Sequence, residues 1–117
     1  MGQVHHVTTS NFQKEVLEST EPVLVDFFAS WCGPCRALAP LLSKLAAEFA
    51  GRVKIVKIDI DAEPQLASHY DVQSIPTLLF VANGEVVGRT AGLAPEANLR
   101  NVLYQLVDFA GKSRRAS

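Results

Sequence analysis

Residues 31–35, with the sequence WCGPC, hold both cysteines of the chain, at a spacing that lets two thiols close into a small disulfide ring. An apolar run over residues 23–29 precedes them, and a stretch with helical spacing over residues 38–49 follows. This order predicts a strand, a turn and a helix, with Cys32 at the head of the helix, where backbone N–H groups and the helix dipole favour an anion. Because the thiolate is the attacking form of cysteine, the pattern indicates a redox-active thiol pair.

Half of a zinc site is the alternative interpretation of the same two cysteines. Zinc in proteins takes about four ligands. The other soft candidates, His5, His6 and His69, stand at no zinc-like spacing along the chain. We therefore expect thiol chemistry at this site and no bound metal.

The composition is that of an ordinary globular domain. The chain has 117 residues, of which 48% are hydrophobic, and this is enough for one domain with its own core. We expect a single domain over residues 1–117, with an ordered core over about 4–110 and a basic, frayed tail over 111–117. A net charge of −1 provides no overall field that would attract nucleic acid or an anionic membrane.

Targeting segments are not recognisable in the sequence. No apolar run approaches the ~18 residues of a membrane span. The N-terminus lacks the basic and apolar regions of a signal peptide. These observations predict a cytoplasmic protein, and in that reducing compartment a cysteine pair is more often catalytic or metal-binding than structural.

The hydrophobic pattern predicts strands and helices in the order β-α-β-α-β-α-β-β-α, which is an α/β fold. Strands are predicted over residues 4–8, 23–29, 53–60, 78–81 and 85–90, and helices over 11–19, 34–49, 61–70 and from 95 onward. The alternation implies parallel strands joined by right-handed crossovers. The Asn83-Gly84 pair predicts that the last two strands form an antiparallel hairpin.

Taken together, these residues resemble the thioredoxin family over about residues 4–109. The matching positions are Asp26, the WCGPC segment, Pro40, Lys57, Ile75-Pro76-Thr77, Asn83-Gly84 and Gly92. The resemblance implies a thioredoxin fold, in which a central mixed five-stranded sheet is flanked by four helices. It also implies a thiol-disulfide oxidoreductase that reduces protein disulfides. Phe28 departs from the family pattern, which often has tryptophan at that position.

The resemblance assigns roles to the two cysteines and the residues between them. Cys32 is expected to be the more exposed thiol and the nucleophile, whose thiolate attacks a substrate disulfide. Cys35 then attacks the mixed disulfide, releases the reduced substrate and leaves a Cys32–Cys35 disulfide. Gly33 and Pro34 are expected to keep the ring tight and to let the partner approach closely.

Two charged residues are expected to support this exchange. Asp26 is the one charge inside an apolar strand, so burial should raise its pKa, and it could then take and return the Cys35 proton. The alternative is a strand-end aspartate that faces water. By resemblance, Lys57 on a neighbouring strand approaches Asp26 and tunes it, although a lone lysine in a strand is usually a surface residue.

A substrate-binding surface around Cys32 is also implied. Pro76 is expected to form a cis peptide bond that presents the Ile75 backbone to an extended substrate strand, whereas the sequence alone would indicate an ordinary turn proline. Trp31 is expected to contact the partner rather than to pack in the core. The expected binding residues are Trp31, Gly33, Pro34, Ile60, Ile75, Pro76, Ala91 and Gly92.

The electron source is implied by the family alone. The chain has no G-x-G-x-x-G motif for NADPH, so a separate thioredoxin reductase is expected to supply electrons from NADPH to a monomeric protein without a bound cofactor. Two other functions remain open at this stage. One is a disulfide isomerase or oxidase on the same fold, and the other is a non-catalytic binding module that acts as a chaperone-like protein or complex subunit.

Overall fold

A mixed five-stranded sheet forms the centre of the molecule, with strand order β1-β3-β2-β4-β5. The computed structural model describes residues 2–116, and side chains over 2–113. The strands are β1 (His5–His6), β2 (Val23–Phe28), β3 (Lys54–Asp59), β4 (Thr77–Ala82) and β5 (Glu85–Ala91). Strands β1, β3 and β2 run parallel, whereas β4 is antiparallel to β2 and to β5. The predicted α/β fold with a mixed sheet is therefore confirmed.

Helical segments follow the strands in the predicted order. They are a short π-helical segment (Gln13–Leu17), α1 (Gly33–Glu48), α2 (Pro64–His69) and α3 (Glu96–Ala116). No helix among residues 2–116 is long and apolar enough to cross a membrane.

Two hydrophobic cores lie on opposite faces of the sheet, because alternate residues of a strand point to opposite faces. In β2, Leu24 packs with α1 and α3, whereas Val25 and Phe27 pack with the π-helical segment and α2. The sheet is thus covered on both faces, as the apolar run over β2 indicates. Asp26 falls on the same face as Leu24, and this is the face that α1 covers.

The β4–β5 hairpin turns at the Asn-Gly pair that the sequence indicates. Asn83 has a φ of 54° and Gly84 a φ of 82°, and two consecutive positive φ values are what a tight two-residue hairpin requires. This hairpin brings the end of β5 beside the start of β4, where Thr77 pairs with Ala91. The loop before β4 and the bend after β5 therefore lie next to each other.

Three parts of the chain differ from the prediction. Strand β1 has two residues rather than five, and the first helix is a short π-helical segment rather than a helix over 11–19. Helix α3 continues through Ala116, past residue 110, where the sequence predicts the ordered core to end, and Ser117 lies outside the described residues. An ion pair one helical turn apart, from Lys112 Nζ to Asp108 Oδ2 at 3.0 Å, adds to helix formation there.

Candidate active site

The two cysteines lie at the head of α1 and form a disulfide. Cys32 is the N-cap residue of the helix, and Cys35 lies in its first turn, with the two Cα atoms 5.2 Å apart. The backbone N–H of Cys35 donates a hydrogen bond to Cys32 Sγ, with an N–S distance of 3.2 Å. The same N–H and the positive end of the helix dipole would stabilise a Cys32 thiolate after reduction. The predicted placement of Cys32 at a helix N-terminus is confirmed.

Exposure does not distinguish the two cysteines in this oxidised state. Cys32 is 5% exposed and Cys35 is 4% exposed, so the expectation of a clearly more exposed Cys32 is not met. Both sulfurs belong to a small buried cluster with Ala29. The distinction between the thiols therefore depends on their positions in the helix, since Cys32 caps it and Cys35 lies inside its first turn.

A loop with a cis peptide bond faces the disulfide. The Ile75–Pro76 bond is cis, as the family resemblance implies, and the Ile75 carbonyl oxygen lies 3.8 Å from Cys32 Sγ. Thr77 Oγ1 donates a hydrogen bond to the Ser74 carbonyl across the loop. The Gly92 N–H donates to the Pro76 carbonyl at 2.8 Å, which ties this loop to the end of β5.

Trp31 is exposed over 65% of its surface, so its side chain is free of the core and open to a partner. Its indole Nε1–H donates to Asp61 Oδ2 at 2.8 Å. That contact spans the ends of two neighbouring strands, since Trp31 follows β2 and Asp61 follows β3. Ile60, between β3 and Asp61, is half-buried against the cysteine cluster.

The remaining predicted binding residues lie around the same rim. Gly33 and Pro34 are exposed in the first turn of α1. A Cβ atom at Gly33 would meet nothing within 4 Å, so steric crowding within this chain does not require glycine at this position. Ala91 is exposed at the end of β5, and Gly92, with a φ of 86°, makes the bend that follows.

Asp26 is buried beneath α1 with 1% of its surface exposed. Among the described residues, its Oδ1 has no hydrogen-bond partner. Burial raises the pKa of Asp26 from its ordinary value of 3.8 to about 6, and the positive charge of Lys57 opposes part of that rise. A carboxyl group with a pKa of about 6 can exchange protons near neutral pH. The alternative of an aspartate that faces water is therefore wrong.

Lys57 is the cross-strand neighbour of Asp26. The two residues are register partners in the parallel β2–β3 pair, so their side chains share one face of the sheet. Lys57 is half-buried, and its Nζ lies 4.5 Å from the centroid of the Phe28 ring. The expected proximity of Lys57 to Asp26 is thus present in the fold.

Known proteins match the chain over nearly its whole length. Residues 3–105 match the thioredoxin family. The chain is 45% identical to thioredoxin of Haemophilus influenzae over 105 residues, which cover 90% of this chain and 98% of the relative. It is 45% identical to thioredoxin 1 of a Nostoc species over 103 residues, 88% of this chain and 96% of the relative.

The chain belongs to the thioredoxin family. Thioredoxin C-2 of Corynebacterium nephridii is 48% identical over 100 residues, 86% of this chain and 93% of the relative. With its redox-active cysteine pair, this thioredoxin-family chain is a thiol-disulfide oxidoreductase that reduces protein disulfides. Members of the family work through the disulfide itself, without a bound cofactor. Within residues 2–116, no group of three or more metal-binding side chains is placed to hold an ion.

Asp61 is the residue of this thioredoxin-family site that sequence reasoning missed. The carboxyl ends of parallel strands meet at one edge of a sheet, and both the WCGPC segment and residues 60–63 follow such ends. Strand topology therefore contained a signal that a polar residue after β3 would lie near Trp31. The contact of Lys57 with the Phe28 ring has no comparable signal, since it depends on which way a long side chain turns.

Proposed function

We propose that Cys32 is the nucleophile in the reduction of oxidised protein substrates. Its thiolate attacks one sulfur of the substrate disulfide, so that a bond between Cys32 Sγ and that sulfur forms and the substrate S–S bond breaks. The second substrate sulfur leaves as a thiolate and takes up a proton. The observation that carries the proposal is the position of the Cys32–Cys35 disulfide at the N-terminus of α1, opposite the Ile75 carbonyl.

Cys35 resolves the mixed disulfide in the second step. Its thiol gives its proton to the Asp26 carboxylate, and its sulfur then attacks Cys32 Sγ. The Cys32–Cys35 bond forms, the bond to the substrate breaks, and the second substrate thiolate leaves. Two electrons have then moved from the cysteine pair to the substrate. The burial of Asp26 under the helix that carries Cys35, and its raised pKa, support this role.

The rim around the disulfide binds the substrate chain. One side of this rim is formed by Trp31, Ile60, Gly33 and Pro34. The other side is formed by residues of two loops, Ile75, Pro76, Ala91 and Gly92. An extended substrate segment adds as a strand beside the Ile75 backbone. The open space above Gly33 and the exposure of Trp31 support such a contact. Lys57 tunes the acidity of Asp26 from the neighbouring strand.

The cycle closes when a separate thioredoxin reductase reduces the Cys32–Cys35 disulfide with electrons from NADPH. We place this monomeric single domain, residues 1–117, in the cytoplasm, with oxidised proteins as its substrates and no nucleic acid or membrane partner. The two thioredoxins whose alignments cover 90% and 88% of the chain support the reductase and the oxidised proteins as its partners.

The reduction potential of the cysteine pair tests the direction of the chemistry. Equilibration with glutathione buffers, followed by quantification of the free thiols, should give about −270 mV, the reference value for thioredoxins. A value near about −180 mV would favour an isomerase, and one near about −120 mV an oxidase. Either result would contradict a reductase.

A further inference from the structure

A row of polar side chains crosses the sheet beneath the active site. His6 of β1, Lys57 of β3 and Asp26 of β2 are successive register partners, so all three side chains lie on one face. Phe28 lies two residues beyond Asp26 on β2 and therefore shares that face. The row therefore has an aromatic side chain beside it on the same face of the sheet.

The Phe28 ring contacts two members of this row, Lys57 and His6. Lys57 Nζ lies 4.5 Å from the ring centroid, within the range of a cation–π interaction. The imidazole of His6 meets the same ring at a centroid distance of 5.8 Å and an interplanar angle of 71°. The ring also packs against the cluster that contains Cys32 and Cys35. Phe28 is therefore in contact with both Lys57 and the disulfide cluster.

We propose that Phe28 is a positioning residue. Its ring holds the Lys57 ammonium on the face of the sheet that carries Asp26, so that the positive charge of Lys57 acts on the Asp26 carboxyl group. Lysine is long, flexible and strongly hydrated. Without the Phe28 ring, the Lys57 ammonium would turn to solvent. Asp26 is only 1% exposed, so the ammonium must lose bound water to approach it. The proposal rests on the role of Asp26 in the proposed function.

Other charged groups near this face are engaged elsewhere. Asp59, opposite Phe28 in the β2–β3 register, accepts the Asp61 N–H through its Oδ1. The described charged side chains of α1 and α3 bind a carbonyl or pair with each other: Arg36 with Ser30, Lys44 with Glu96, Glu48 with Arg100, and Asp108 with Lys112. Lys57 is thus the cation that acts on Asp26, and His6 is the remaining titratable group against the ring.

A double-mutant cycle tests the proposal by NMR titration of the Asp26 carboxyl carbon in the oxidised protein, where the cysteines do not titrate. In the parent chain, Lys57→Met should raise the pKa of Asp26 by about one unit, because a nearby cation favours the carboxylate. In a Phe28→Leu background the same Lys57→Met change should move the pKa by half as much or less. The cycle cancels the effect of added water at Asp26, which both Phe28→Leu proteins share.

Two matched variants complete the experiment. Phe28→Trp keeps an aromatic face and should retain the full effect of Lys57→Met. His6→Phe keeps a ring against Phe28 without an imidazole, and should also retain the full effect of Lys57→Met. If Phe28→Leu does not fold, Phe28→Met provides a flexible apolar replacement.

An equal effect of Lys57→Met with Phe28 and with leucine or methionine would overturn the proposal, as would its loss in Phe28→Trp. The proposal is supported if Lys57→Met changes the pKa of Asp26 less in the Phe28→Leu or Phe28→Met background, while Phe28→Trp retains the full change. These titrations involve no turnover. A failure of the proposed function would appear instead as an unchanged exchange rate in Asp26→Asn, with the coupling between Lys57 and Asp26 intact.

Discussion

Reduction of insulin disulfides is expected to fall by at least about 10³-fold when Cys32 is replaced by serine, because loss of the attacking group in a nucleophilic enzyme removes nearly all turnover. A serine hydroxyl does not ionise near neutral pH and offers no sulfur for a mixed disulfide. The remaining thiol, Cys35, lies inside the first turn of α1 and not at the N-cap position that Cys32 occupies. NADPH oxidation in the presence of thioredoxin reductase and insulin measures the rate.

Cys35→Ser is the matched control for this variant. Both serine variants lose the disulfide and its contribution to stability, but only Cys35→Ser retains the proposed nucleophile. Cys35→Ser should release one substrate thiol per molecule in a single turnover, and Cys32→Ser should release none. Circular dichroism would show that both proteins are folded. Parental turnover by folded Cys32→Ser would remove Cys32 from the nucleophile position.

Asp26→Asn is expected to raise the free energy of unfolding at pH 8 by up to about 3 kcal/mol. The raised pKa of Asp26, about 6 against an ordinary 3.8, means that the folded protein holds the charged form at a cost. Each unit of pKa corresponds to about 1.4 kcal/mol, so a shift of about two units gives this magnitude. Urea denaturation of the oxidised proteins between pH 4 and pH 8 measures it.

The pH dependence has a definite sign. Because the folded protein binds this proton more tightly than the unfolded chain, the cost is absent below pH 3.8 and grows as the pH rises to about 6. Above that pH the cost is constant. The stability gained by Asp26→Asn should therefore increase from pH 4 to about pH 6 and then level off.

Asp108→Asn provides a control with an exposed carboxylate. Asp108 pairs with Lys112 on the surface of α3, and exposed ion pairs contribute roughly 0–1 kcal/mol. We expect this variant to lack the rise in stability between pH 4 and pH 6.

Asp26→Asn should also slow the second exchange step, since an asparagine side chain cannot accept the Cys35 proton. Unchanged stability together with an unchanged rate would be inconsistent with a buried, functional carboxyl group.

Much of the fold follows from local sequence signals. The apolar run over β2 predicts a strand covered on both faces, and the structure places separate cores on its two sides. Asn83-Gly84 predicts the hairpin because few other pairs accept two positive φ values. These signals are reliable since each depends on a backbone constraint or on burial, and neither requires knowledge of distant contacts.

The ends of the chain were predicted less well. Strand β1 is an edge strand held by β3 alone, so its length depends on pairing across the sheet rather than on its own residues. The sequence predicts that the ordered core ends near residue 110, because the residues that follow are basic or small. The helix nevertheless continues through Ala116.

Within the site, the sequence predicted residue types better than side-chain contacts. The burial of Asp26 follows from its apolar neighbours, and the helix-capping position of Cys32 follows from the order of strand and helix. The equal burial of the two cysteines does not, because the loop at Ile75 covers Cys32 from a distant part of the chain. Contacts of this kind depend on tertiary packing.

The most direct test of the two-step exchange is to mix reduced Cys35→Ser protein with oxidised insulin and to map the product by mass spectrometry. We expect a stable mixed disulfide between Cys32 and an insulin cysteine, which dithiothreitol releases. Absence of any covalent adduct at Cys32, under conditions in which the parent chain reduces insulin, would contradict the mechanism.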